Sequence, residues 1–155
     1  MRISTKIDYA LRAMAELAAA GGGDPVKAEA IATRQDIPLK FLLAILGELR
    51  RDHLVRSHRG PEGGYVLSRA AKTITLADVM RALEGPLADV HDDSLRLLSY
   101  PGPASSLTDV WKAVRSSLRS VLETTTVGDL ASGRLPRKVQ LLADAYDEAE
   151  LRAAR

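Results

Sequence analysis

The chain has 155 residues, enough for one domain with its own core or for a small domain plus an extension. It contains no cysteine, which excludes disulfides, thiolate metal sites, cysteine-ligated iron–sulfur clusters and a thiol redox switch within the chain. A net charge of +2 does not by itself indicate a nucleic-acid partner, but the charge is uneven: the balance is +3 over residues 1–85 and −1 over residues 86–155. Within residues 38–60 Lys40, Arg50, Arg51, Arg56 and Arg59 face only Glu48 and Asp52 as counter-charges, with His53 and His58 besides. Aromatic residues are scarce, so the core must be built from Leu, Ala and Val, which favours helices. No apolar run approaches a membrane span and the first residues lack a signal pattern, so the expected location is cytoplasmic.

A first helix is expected over residues 2–20, with Ser4 as N-cap and an apolar stripe of Ile7, Ala10, Leu11, Met14, Leu17 and Ala18. Gly21, Gly22 and Gly23 end it, and Asp24-Pro25 can open the next helix. The triple glycine lacks the following Lys-Ser/Thr of a phosphate loop. Residues 26–35 read as a short supporting helix with Ala28, Ile31 and Ala32 inward. The turn Asp36-Ile37-Pro38 places proline at the first position of the helix that follows.

That next helix, over residues 38–52, has Leu39, Leu42, Leu43, Leu46 and Leu49 on one face, Ile45 near its edge, and Lys40, Arg50 and Arg51 outside it. Leu54-Val55 and Tyr65-Val66-Leu67 are β-prone runs joined by the turn-forming Arg59-Gly60-Pro61-Glu62-Gly63-Gly64. A helix–turn–helix with a glycine-tipped hairpin beside it suits DNA: the second helix fits the major groove, and the hairpin carries an arginine to the minor groove. The alternative is a small helical domain whose basic residues are simply solvated.

After a polar connector at residues 70–73, Thr75 caps a short helix over residues 76–83 with Val79, Met80 and Leu83 inward, and Gly85-Pro86 breaks it. Residues 86–106 read as a loop. His91-Asp92-Asp93 could hold a metal weakly, although such clusters are more often solvated, and no metal site is assigned. Leu107, Trp111, Val114, Leu118, Val121 and Thr125 then recur at 4-3-4-3-4 spacing, a heptad seam with Val110 and Leu122 alongside. A helix of this kind wants a long partner, and a second copy across a two-fold axis suits helix–turn–helix proteins better than packing within one domain. Beyond a short capped turn at residues 126–131 and a break at residues 133–136, Val139, Leu142, Ala143, Tyr146 and Ala149 have helical spacing, compatible with a docked or a fraying helix.

These stretches together resemble the Rrf2 family of bacterial winged-helix transcription regulators. The matching segments are MRISTKIDYALRAMAELA, IATRQDIP, LLAILGELRRDHLV, SHRGPEGGYVLS, ITLADVMRALEGPL and LTDVW with the helix after it. They cover about residues 1–125 in family order, and RGPEGGY is the most specific. The resemblance implies a mainly α fold with a small β-hairpin wing: a winged helix-turn-helix domain over residues 1–85, a connector over 86–106, a long dimerisation helix over 107–125 and an extension over 126–155. It also implies a homodimer on double-stranded DNA. Carried over by position, Ser4, Lys6 and Tyr9 meet or position phosphates, Arg34 and Gln35 lie by the backbone, Lys40 starts the recognition helix, and Arg59 with Gly60 enters the minor groove. Arg50, Arg51, Arg56 and His58 complete the expected DNA-binding set. Leu107, Val110, Trp111, Val114, Leu118, Val121 and Leu122 form the expected dimer contact.

Two departures from the family stand out. Relatives that sense iron, nitric oxide or redox state hold a cluster on three cysteines between the short and long helices, and residues 87–107 have none. Asp8 stands where some relatives supply a fourth ligand, but one carboxylate cannot hold a cluster, so no cofactor is expected. Leu43 and Ala44 occupy positions where some relatives carry base-contacting polar residues. Apolar side chains there can touch thymine methyls but cannot make bidentate hydrogen bonds.

The leading reading is a transcriptional regulator, of repressor type, on a palindromic operator. The second is an interaction module, or a partner-controlled regulator, in which DNA contact is secondary. The three histidines show no nucleophile or metal-ligand pattern, so an enzyme is not expected. A switching signal would have to be an unidentified small molecule, a partner protein or a metal at the 86–106 loop, unless the regulator acts by abundance alone.

Overall fold

The computed structural model describes residues 3–86 and 98–153. The first helix, α1 (Thr5–Ala19), begins where Ser4 accepts a hydrogen bond from the Ile7 amide, the cap expected from sequence. It buries Ile7, Ala10, Ala13, Met14 and Leu17.

The supporting helix α2 (Ala28–Gln35) starts two residues later than the periodicity suggests. Val26 is instead extended and pairs with Tyr65 through two backbone hydrogen bonds, Val26 N to Tyr65 O at 2.9 Å and Tyr65 N to Val26 O at 2.8 Å. Those bonds draw Val26 out of the helix and leave Lys27 as an N-cap without a side-chain bond. Gly64 makes the approach feasible, since a Cβ there would lie 2.5 Å from the Val26 carbonyl oxygen.

Asp36, in the left-handed conformation, ends α2, and Pro38 is the N-cap rather than the first residue of α3 (Leu39–Arg51). The inward face of α3 is also turned slightly from the expected one. Leu42, Ile45, Leu46 and Leu49 are buried, while Leu39 and Leu43 are exposed along with Phe41. Three turns of helix accommodate only one apolar stripe, and Ile45 takes the place in it that Leu43 was expected to fill.

The strands β1 (Val55–His58) and β2 (Gly64–Leu67) pair antiparallel, with Val55 opposite Leu67 and His58 opposite Gly64. A single 3-10 turn, Ala71–Thr73, leads to α4 (Leu76–Glu84), which opens with a reciprocal capping box between Thr75 and Asp78 and buries Ala77, Val79, Met80 and Leu83.

The long helix α5 (Leu107–Leu122) ends three residues before Thr125. Thr124 and Thr125 turn their hydroxyls back onto the carbonyls of Ser120 and Val121, each at 2.8 Å. Thr125 is buried, and its carbonyl accepts a bond from the Leu76 amide at 2.9 Å, so it anchors α5 to α4 instead of extending the seam. The following helix α6 (Val127–Ser132) has its own Thr126–Asp129 capping box, packs on α1 and places Val127 in the core. The last helix, α7 (Arg137–Ala153), buries no residue.

Candidate nucleic-acid interface

Four cations stand out on α3 and the hairpin. Lys40, Arg51, Arg56 and Arg59 are exposed and, among the described residues, make no side-chain hydrogen bond or ion pair. Arg50 donates to the Ser57 hydroxyl at 3.1 Å, tying the end of α3 to β1. Leu43 on α3 and Ser57, His58, Gly60 and Pro61 of the hairpin line one cleft of about 540 Å³, whose far wall is the start of α2. The two elements expected to read DNA thus present adjacent walls of one open cleft.

The hairpin tip depends on glycine at two places. Gly60 has φ +96°, where a side chain is strained, and a Cβ on Gly63 would lie 2.4 Å from the His58 carbonyl oxygen. The Gly63 amide closes the turn onto Gly60 O at 2.9 Å.

The remaining expected contact residues are committed to internal bonds. Ser4 caps α1 and donates to the Glu84 carboxylate. Lys6 donates to Glu48 at 2.7 Å and to the Leu83 carbonyl at 3.3 Å, so it joins α1, α3 and α4. Tyr9 lies under the Arg12 guanidinium, 5.4 Å from ring centroid to Cζ. Arg34 and Gln35 both donate to Glu16, at 2.8 and 2.6 Å, and Arg12 donates to Gln35 at 3.2 Å. Glu16 is the residue that sequence reasoning missed. A glutamate facing the following helix has no local signature, because its partners lie 18 and 19 residues away.

The expected dimer residues are likewise on the surface. Leu107, Trp111, Leu118, Val121 and Leu122 are half-buried, Val110 and Val114 are exposed, and no residue of α5 is buried. At its C-terminal end Glu123 receives Arg81 from α4 and Arg119 from α5, and these two bonds hold its carboxyl below the usual glutamate range.

Comparison with known proteins decides the family. The Rrf2 family model, described as an iron-dependent transcriptional regulator, matches residues 3–133. The chain belongs to the Rrf2 family. Within it, the chain is 54% identical over 150 residues to a protein named as an HTH-type transcriptional regulator, Rv1287 of Mycobacterium tuberculosis, covering 97% of this chain and 93% of the relative. Its fold is similar to that of CymR, titled the global cysteine regulator of Bacillus subtilis, with a TM-score of 0.74, 37% identity, and coverage of 85% of this chain and 97% of that one. It is also similar to IscR of T. potens, with a TM-score of 0.70, 33% identity, and coverage of 86% and 88%. The chain is therefore a DNA-binding transcriptional regulator, and its relatives are not enzymes.

The iron in the family description is tested by the donors this Rrf2 chain offers. It has no cysteine, and among the described residues no group of three or more His, Asp or Glu is placed to hold a metal ion. His91-Asp92-Asp93 lies outside the described residues. The residues present do not fit an iron–sulfur cluster. Among the described residues no helix is long and apolar enough to cross a membrane.

Proposed function

We propose that the chain represses transcription in the cytoplasm as a homodimer on a palindromic operator, and that it does so without an iron–sulfur cluster. The observation that carries this reading is the set of uncommitted cations, Lys40 and Arg51 on α3 with Arg56 and Arg59 on the hairpin. Cations facing solvent without internal partners are the ones free to release counterions from phosphate. In this reading α3 lies in the major groove and Arg59 with Gly60 enters the minor groove, where a narrow groove favours arginine. Ser4, Lys6, Tyr9, Arg34 and Gln35 act by bracing α1 and α2 against the backbone, and Arg50 and His58 flank the strand between the grooves. Leu107, Val110, Trp111, Val114, Leu118, Val121 and Leu122 meet their copies across the two-fold axis, which suits a helix with no buried residue of its own.

The test is a gel-shift titration on the chain's own promoter. Arg59→Ala is expected to weaken binding by about 1–3 kcal/mol, and unchanged affinity would remove the wing from the interface. A second reading, a regulator governed mainly by a protein partner, is favoured by one observation. Leu141, Leu142, Tyr146 and Leu151 of α7 are all exposed. Failure to shift promoter DNA, together with no retention on heparin, would favour that reading.

A further inference from the structure

The surface that α3 presents to solvent holds few groups able to read a base edge by hydrogen bonding. At 3.6 residues per turn, the ridge opposite the buried Leu42, Ile45, Leu46 and Leu49 is Lys40, Ala44, Gly47 and Arg51. Its two ends are cationic and its middle is bare. A Cβ on Gly47 would meet nothing within 4 Å, so the helix backbone itself can lie close to whatever it faces. The flanks add apolar groups: Leu39 and Leu43 on the hairpin side and Phe41 on the α1 side, all exposed. Of the polar flanking residues, Glu48 is engaged by Lys6 at 2.7 Å and Arg50 by Ser57 at 3.1 Å. On the outward ridge between Lys40 and Arg51, Ala44 and Gly47 offer no side chain that can make a bidentate hydrogen bond to adenine or guanine.

In the major groove only one base offers an apolar handle, and that handle is the C5-methyl group of thymine. Leu43 is placed to use it. It forms the α3 wall of the cleft whose other walls are the hairpin tip and the start of α2. With α3 in one groove and the hairpin in the next, the DNA strand between them runs along that cleft. We propose that Leu43, with Ala44 beside it, determines the operator's sequence by packing on thymine methyl groups in the middle of each half-site, while Lys40 and Arg51 hold its two ends. The proposal rests on α3 entering the major groove, and it names what α3 reads there. The predicted target class is a half-site with thymines at fixed central positions, and discrimination there depends on a methyl group rather than on the Watson–Crick pair.

Replacing thymine by deoxyuridine removes the methyl and leaves the pairing and hydrogen-bonding pattern intact. With the operator located by footprinting on the chain's own promoter, each central thymine is replaced in turn and binding is titrated by gel shift. At the thymine that Leu43 touches, the expected loss is about four-fold for one half-site and about fifteen-fold for both, the value of one buried methyl per half-site. Leu43→Ala, a change at an exposed helical position, is expected to bind the thymine and deoxyuridine operators equally. Equal binding of both operators by the unaltered chain overturns the proposal, as does a full deoxyuridine penalty retained by Leu43→Ala. If the chain shifts no DNA at any salt concentration, the placement of α3 in the groove falls as well. A shift without a methyl effect removes the methyl reading alone.

Discussion

At Glu123 one carboxylate joins two helices: Arg81 reaches it from α4 and Arg119 from within α5, and both bonds lower its proton affinity. A group whose folded pKa is depressed stabilises the fold above its unfolded value, and that contribution is lost as pH falls through the folded value. Glu123→Gln is therefore expected to lower the melting midpoint near pH 7, and the gap from the unaltered chain should close as pH drops below the ordinary glutamate value of 4.5. A gap that stays constant from pH 7 down to pH 3 would show that the side chain acts by shape rather than charge. The same scale explains where sequence reasoning ran out. Lys40 could be picked out because it lies off the apolar face at the start of its helix, and Arg59 because it opens a turn-forming run beside His58. Lys6 looked equally free, yet Glu48 claims it from 42 residues away. Nothing local to either residue announces that pairing, which exists only once α1 and α3 are packed.

Among the elements, the ones set by local chemistry were legible. Ser4, Thr75 and Thr126 cap the helices they precede. Of the expected stripe of α1, Ile7, Ala10, Met14 and Leu17 are buried, Leu11 and Ala18 are half-buried, and Ala13 is buried in addition; in α4 the expected Val79, Met80 and Leu83 are buried together with Ala77. The segments that escaped depend on distant backbone. Val26 leaves α2 because Tyr65 offers both a donor and an acceptor, and α5 stops at Leu122 because Thr125 is bonded to Leu76. For α7 the spacing predicted a helix but not whether it docks. All of its residues but Val139 are exposed, and even Val139 is only half-buried. Because α7 buries no residue, it gives the folded core little. A chain ending at residue 136 is expected to melt within about 4 °C of the full one, a shift of about 1 kcal/mol or less. A much larger fall, measured at equal concentration, would show that α7 is covered in solution by another surface.

For the whole molecule, the proposed geometry makes a quantitative statement about salt. Four uncommitted cations on α3 and the hairpin of each chain, doubled in a dimer, give about eight phosphate contacts and a log–log slope of affinity against salt of about −7. The absolute slope depends on how many of the four touch phosphate rather than bases, so the difference between variants is more telling. Arg56 extends from β1, exposed and unpaired among the described residues, and its loss leaves the core pairing of Val55 with Leu67 untouched. Arg56→Ala should therefore bind operator more weakly and with a shallower slope. If two copies sit on the duplex, the slope falls by about 1.8, and if one copy binds alone it falls by about 0.9. The measurement thus counts chains on the DNA through a single side chain. A slope unchanged by the substitution would mean that Arg56 faces away from the backbone and that the hairpin approaches the duplex by its tip alone.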